Sequence, residues 1–106
     1  MNQPRQQILT QYQKRHGRKI GARMVDRYLD WARRDGYVID TAQVFFAAVR
    51  KRDEWHVLFA SGKNSLKAGM DACPHPMPLV SWYRCVRGDN RRRIINFTRL
   101  KRILNP

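Results

Sequence analysis

The sequence predicts one α+β domain. N-terminal helices precede a small, mostly antiparallel sheet with a C-terminal Arg-rich β-hairpin and a short final helix. Two kinds of pattern support this prediction: an apolar stripe at helical spacing in the first third of the chain, and short apolar runs bounded by turn residues in the remainder. The chain has 106 residues, of which 42% are hydrophobic. That length suits one domain (1–106) with a core of its own rather than two domains.

The N-terminal part, residues 1–36, is expected to be helical and basic. Pro4 is suited to begin a first helix, and the basic run 14–19 then interrupts the helical pattern. Gly17 and Gly21 predict a turn or mobile loop at this point. A second helix follows, with Gly36 at the position of a C-terminal cap. The apolar stripe of this second helix consists of Met24, Val25, Tyr28, Leu29 and Ala32.

The middle part, residues 37–80, is predicted to form the apolar core and to begin with a short strand at 37–39. Asp40 can then cap a third helix, because Gln43 occupies the capping-box position three residues later. Residues 50–52, Arg-Lys-Arg, would place their charges in the last turn of that helix. Its buried stripe would consist of Val44, Phe45, Ala48 and Val49.

The second half of this middle part predicts a central, covered strand at 55–60, with His56 as a core or edge residue. The loop 61–65 contains Gly-Lys before a short helix, but it lacks the earlier Gly that a Walker phosphate loop requires. Residues 74–78 end this helix and predict a rigid, extended connection that could dock on a partner. These docking candidates are Pro74, His75, Pro76, Met77 and Pro78.

Residues 81–106 are predicted to form the hairpin and the final helix. Two apolar and aromatic runs flank Gly88-Asp89-Asn90, and a three-residue loop there would pair Tyr83 with Ile95. Trp82 would then share a face with Arg84, Arg92 and Ile94. On that face Trp82 could stack a base, or it could be ordinary core under a helix. Thr98 is expected to cap the last helix, with Leu100, Ile103 and Leu104 facing inward. The whole sheet is expected to have three or four strands and to be covered by helices on one side.

The formal net charge is +14, from 22 basic and 8 acidic residues, and it is unevenly distributed. Residues 1–36 carry +6, residues 37–80 carry +1 and residues 81–106 carry +7. Such an imbalance causes self-repulsion that a polyanionic partner would relieve. No apolar run is long enough for a membrane span, and no signal peptide is visible. We therefore expect a cytoplasmic protein with no membrane partner. In that compartment the thiols of Cys73 and Cys85 are expected to be reduced.

The residue patterns favour no particular reaction. The Cys and His residues lack the spacing of a metal site, no activated Ser or Cys nucleophile is marked, and the acidic residues are scattered. We therefore expect no cofactor, no bound metal and no catalytic residue. The leading hypothesis is a non-enzymatic protein, such as a phage or mobile-element accessory protein, that binds the phosphate backbone of DNA or RNA. Its candidate binding residues are Arg84, Arg87, Arg91, Arg92, Arg93, Trp82, Lys14, Arg15, Arg18 and Lys19.

Two other hypotheses fit the same sequence. A small basic protein can bind an acidic surface or the nucleic-acid channel of a host nuclease or polymerase and inhibit or redirect it. Alternatively, helices followed by an Arg-rich hairpin resemble, in architecture only, the metal-independent ribonucleases of the toxin kind, in which positive groups stabilise the transition state. The effect of salt distinguishes nucleic-acid binding from binding to a host protein, because phosphate binding weakens steeply as the salt concentration rises.

Overall fold

The computed structural model describes residues 3–86 and 88–106 and confirms the α+β class. Within these residues, four helices accompany one five-stranded sheet of strand order β1-β2-β3-β4-β5. Neighbouring strands are antiparallel except β3 and β4, which are parallel, so the sheet is mostly antiparallel as predicted. The elements are α1 (Gln3–His16), α2 (Arg18–Asp35), β1 (Gly36–Asp40), β2 (Phe45–Lys51), β3 (Glu54–Ser61), α3 (Ser65–Asp71), β4 (Leu79–Val86), β5 (Asp89–Asn96) and α4 (Phe97–Leu104).

Helices cover both faces of the sheet, so the prediction of a one-sided cover is wrong. Phe45, Ala47 and Val49 of β2 pack against α1 and α2, while Phe46 and Ala48 belong to the core on the side of α3 and α4. Strand β2 is thus buried on both faces along its first five residues. The α1 and α2 helices lie over β2 and β3 and leave side chains of β4 and β5 on that face exposed.

The third helix predicted after Asp40 is instead strand β2. Asp40 ends β1, and its carboxylate accepts a hydrogen bond from Arg5 at 2.8 Å rather than capping a helix. Residues 50–52 accordingly lie at the end of β2 and in the turn to β3. The continuous apolar run 44–49 satisfies helical spacing, but it is also what a strand covered on both faces requires.

The basic run between the first two helices is a tight corner rather than a loop. Gly17 alone separates α1 from α2, with a φ of 91° that a residue with a side chain rarely adopts. Gly21 lies within α2, where a Cβ would come 2.6 Å from the Tyr12 carbonyl oxygen. Glycine at this position therefore lets the two helices approach closely.

The ends of two other helices also differ from prediction. Gly36 is the first residue of β1 and has an extended φ of −166°, so it is not a left-handed cap of α2. The cap of α4 is Asn96, whose Oδ1 accepts from the Arg99 backbone N–H at 3.1 Å, and Thr98 lies inside the helix. Leu100 is buried as expected, whereas Ile103 is exposed. Among the described residues, no helix has the length and apolar character needed to cross a membrane.

Candidate nucleic-acid interface

The predicted Arg-rich hairpin exists as β4 and β5, but its register differs from the prediction. Val86 is the partner of Asp89, so two residues join the strands and Asp89 and Asn90 belong to β5. Tyr83 lies opposite Arg92, not opposite Ile95. The shorter connection changes which side chains share a face, because neighbouring residues of a strand point to opposite sides.

One face of the hairpin carries three arginines, which we call the arginine face: Arg84, Arg91 and Arg93. Arg84 lies directly opposite Arg91, and Arg93 lies opposite Trp82 on the same side. All three are exposed, and no acidic group among the described residues forms an ion pair with them. Like charges directly opposite one another destabilise a strand pair, so an anion bound across them would stabilise this face.

Trp82 does not lie on an open face with Arg92 and Ile94, as had been predicted. It packs against the core on the side of α3 and α4, where Val80 and Ile95 are its neighbours on the hairpin. Trp82 is therefore partly buried beside this core, and its role in stacking a base stays a prediction.

A groove of about 690 Å³ lies between the N-terminal helices and the other face of the hairpin. We call it the aromatic groove. Ring systems from both helices and from the sheet contribute to its lining, together with basic side chains at its margins. Its lining includes Tyr12, Arg15 and His16 of α1, Tyr28 and Trp31 of α2, Lys51 of β2, His56 of β3, Tyr83 of β4 and Asn90 of β5.

The helical wall of the groove is a cluster of aromatic rings. The Tyr12 ring makes edge contacts with Tyr28 and Phe59, at centroid distances of 6.2 and 5.5 Å. Burial raises the pKa of Tyr12, so its hydroxyl remains a hydrogen-bond donor at neutral pH. The Lys51 ammonium lies 5.3 Å from the centre of the Trp31 ring, a cation–π distance that keeps its charge at the groove margin.

A polar cluster of four residues lies beside the groove: His56 lines it, Glu54 and Ser81 are buried next to His56, and Arg92 is exposed. Nδ1 of His56 lies 2.8 Å from the Ser81 hydroxyl, and Arg92 donates to Oε1 of Glu54. Burial opposes ionisation of Glu54, but hydrogen bonding from Ser81 and Arg92 outweighs it, so the pKa of Glu54 lies below its ordinary value. Glu54 is therefore an anion that neutralises Arg92 beside the groove.

His56 is buried, as the sequence indicated, and also contributes to the groove lining. Burial lowers its pKa, and the nearby charge of Lys51 lowers it further, so the ring is neutral at physiological pH. The Tyr83 ring packs edge-on against the His56 ring, with centroids 5.4 Å apart.

The N-terminal basic run reaches this groove only in part. Arg15 lines the groove with His16, at the last turn of α1. Lys14, Arg18 and Lys19 are exposed around the α1–α2 corner and are not part of the lining. Arg87, another candidate from the hairpin, lies outside the described residues.

The segment 74–78 is a loop without regular structure that packs on the α3 and α4 side of the sheet. The Trp55 indole donates a hydrogen bond to the His75 carbonyl at 2.9 Å, and the two rings lie 5.1 Å apart. These contacts anchor the loop at His75. Its role as a docking segment stays a prediction.

Sequence reasoning missed the aromatic groove and most of its lining. Tyr83 could have been placed beside Arg92 by considering a two-residue hairpin connection. Tyr28 was predicted as part of the apolar stripe of α2, and Trp31 lies next to that stripe, so a wider reading of the stripe would have marked it. Lys51 was assigned to a helix that does not form. The described residues contain no group of three or more His, Cys, Asp or Glu side chains placed to hold a metal ion.

No protein-family model matches the chain, and neither the curated proteins nor the solved structures contain a significantly similar one.

Proposed function

We propose that the protein binds nucleic acid through its phosphate backbone, with the aromatic groove as the binding surface. One observation supports this most strongly. Arg15 of α1 and Lys51 of β2 line one groove together with Tyr83 and Asn90 of the hairpin. A polyanion lying in this groove would meet the positive charges of Arg15 and Lys51.

The pattern of ion pairs points the same way. The described acidic residues that form ion pairs are Asp30, Asp35, Asp40, Glu54 and Asp71, and none of these lines the groove. Arg15 and Lys51 have no acidic partner among the described residues. Basic groups that the fold does not neutralise are available to phosphate oxygens, and Arg can contact these in bidentate fashion.

The test is fluorescence anisotropy with labelled DNA and RNA oligonucleotides over a salt titration. Wild-type affinity should fall steeply as salt rises, by a slope of about 0.7–0.9 in log K per phosphate contacted. The double variant Arg15→Gln/Lys51→Gln should weaken binding about tenfold or more at low salt, because each lost charged contact is worth about 1.5 kcal/mol.

The matched control is Arg99→Gln/Arg102→Gln, which removes the same charge from α4, on the far side of the sheet. This control should weaken binding much less than the groove variant. Equal losses in the two variants would mean that the groove is not the binding surface. Absence of binding to any oligonucleotide would overturn the proposal and would favour an acidic protein surface as the partner.

A further inference from the structure

Tyr83 is the exposed ring of the aromatic groove. It is 57% exposed, whereas Tyr12, Tyr28 and Trp31 are partly buried. It stands on strand β4, on the part of the sheet that α1 and α2 do not cover. A large ring held open to solvent on a sheet strand is an accessible surface for another planar group.

The position of this ring is fixed from one side. His56 packs edge-on against it with an interplanar angle of 77°, and His56 is itself held by Ser81 at 2.8 Å. Both His56 and Ser81 are buried, so neither moves freely. A preorganised ring loses little side-chain entropy when a ligand stacks on it, which favours binding.

A positive charge stands directly beside the ring. Arg92 of β5 is the cross-strand partner of Tyr83, and its guanidinium is oriented by the buried Glu54 carboxylate. Side chains at paired positions of neighbouring strands lie close together. A base stacked on Tyr83 would lie beside this ion pair, while Arg15 and Lys51 of the groove lining face its phosphates.

The groove continues because the sheet divides at this point. Pairing of β3 with β4 ends at Val57 and Trp82, so the outer half of the hairpin diverges from β3. Within the described residues, Leu58–Ser61 has no strand partner on the β4 side. The space of about 690 Å³ is in the range of small-ligand sites, which suits a short unpaired stretch and not the width of a double helix.

Building on the proposed function, we infer that the aromatic groove binds a single strand of nucleic acid, with an unpaired base stacked on Tyr83. In a duplex each base is covered by its neighbours, so no base face is free for a side chain. A single strand offers its bases to aromatic rings and its phosphates to flanking arginines at the same time.

The experiment compares a pyrimidine single strand of about 12 nucleotides, an abasic single strand of the same length, and a duplex of about 12 base pairs, which carries about twice as many phosphates. Deoxy and ribo forms of the single strand distinguish DNA from RNA. The protein variants are Tyr83→Ala, Tyr83→Phe and the control Ile103→Ala, which removes an exposed apolar side chain from α4, outside the groove. Thermal melting by circular dichroism verifies that each variant is folded.

We expect the single strand to bind more tightly than the duplex and the abasic strand. Tyr83→Ala should lose about 5- to 100-fold in affinity for the single strand, from the usual contribution of one stacked base. Tyr83→Phe and Ile103→Ala should bind as the wild type does, and the Tyr83→Ala loss should disappear on the abasic strand.

Two results separate this inference from the proposed function. The single-strand inference is wrong if duplex binds as tightly as single strand, or if Tyr83→Ala does not change the affinity. In either case, salt-sensitive binding would still support the proposed phosphate binding. Absence of binding to all three oligonucleotides overturns both.

Discussion

Replacing Glu54 with Gln should weaken the fold and strengthen nucleic-acid binding. The Glu54 side chain is 9% exposed and forms an ion pair with Arg92, which is 44% exposed. The pair holds an arginine beside the groove in a neutralised state. Gln keeps the size of the side chain and one acceptor oxygen but removes the negative charge, which raises the formal net charge from +14 by one unit.

The expected loss of stability follows from this geometry. Breaking a fully buried ion pair costs about 3–5 kcal/mol, because the remaining charge is left in an apolar environment. Here Arg92 can reach water, so we expect a smaller decrease of about 1–2 kcal/mol in the free energy of unfolding. For a domain of this size, that corresponds to a fall in Tm of about 4–15 °C.

The expected gain in binding comes from the released arginine. A freed Arg92 can contact one more phosphate, which should steepen the salt slope by about 0.7 for a single strand. The affinity at low salt should rise about three- to tenfold, equivalent to roughly 1 kcal/mol from one exposed charged contact. Stability and affinity therefore change in opposite directions.

The assay combines urea denaturation, monitored by circular dichroism, with anisotropy titrations at several salt concentrations. The control is Asp71→Asn, which makes the same change in charge at an exposed ion pair with Lys101, between α3 and α4. Exposed pairs contribute little, so this control should leave stability nearly unchanged and affect binding only through net charge. If the Glu54→Gln variant binds nucleic acid no more tightly than the Asp71→Asn variant does, the release of Arg92 adds no phosphate contact and the prediction is wrong.

Three further predictions concern the fold. Gly69→Ala should lower the free energy of unfolding by about 1–3 kcal/mol in urea melts, because the added Cβ would lie 2.3 Å from the Phe46 ring; unchanged stability would show that this core can relax. Asn96→Ala should cost about 0.5–2 kcal/mol in the same melts, through loss of the α4 cap, whereas Thr98→Ala should cost much less; the reverse ranking would restore the sequence-based cap. Because burial lowers the pKa of His56 in the folded state, stability should be constant above about pH 6.5 and fall as the pH decreases through that value. Urea melts between about pH 8 and 5 should show this slope in the wild type and a smaller one in His56→Asn; equal slopes would exclude His56 as its source.

The sequence alone determined several features of this protein. The stripe of α2 was clear because its apolar residues repeat at 3.6-residue spacing on one side. The hairpin was clear because two apolar runs flank Gly88, which has a φ of 85°. The excess positive charge and its concentration at the two ends are properties of composition, so they needed no coordinates.

Local patterns could not decide the identity of β2. The apolar run 44–49 has the same appearance as one side of a helix and as a strand between two helical layers. Burial on both faces, which depends on α1 and α2 from one direction and α3 and α4 from the other, settled the choice. Tertiary packing thus overrode a capping signal at Asp40 that was plausible by itself.

The candidate site depended on tertiary structure even more strongly. Trp82 and Tyr83 have the opposite roles to those predicted, because the side of β4 that carries Trp82 packs against the core near α3 and α4. The two-residue connection places Arg92, and not Ile95, opposite Tyr83. Arg15 and Tyr83 line one groove only because α1 packs against β3 beside the diverging hairpin. Spacing in the sequence shows which residues share a face of one helix or strand. The groove is formed by residues that are far apart in the chain, and these come together only through the packing of the helices on the sheet.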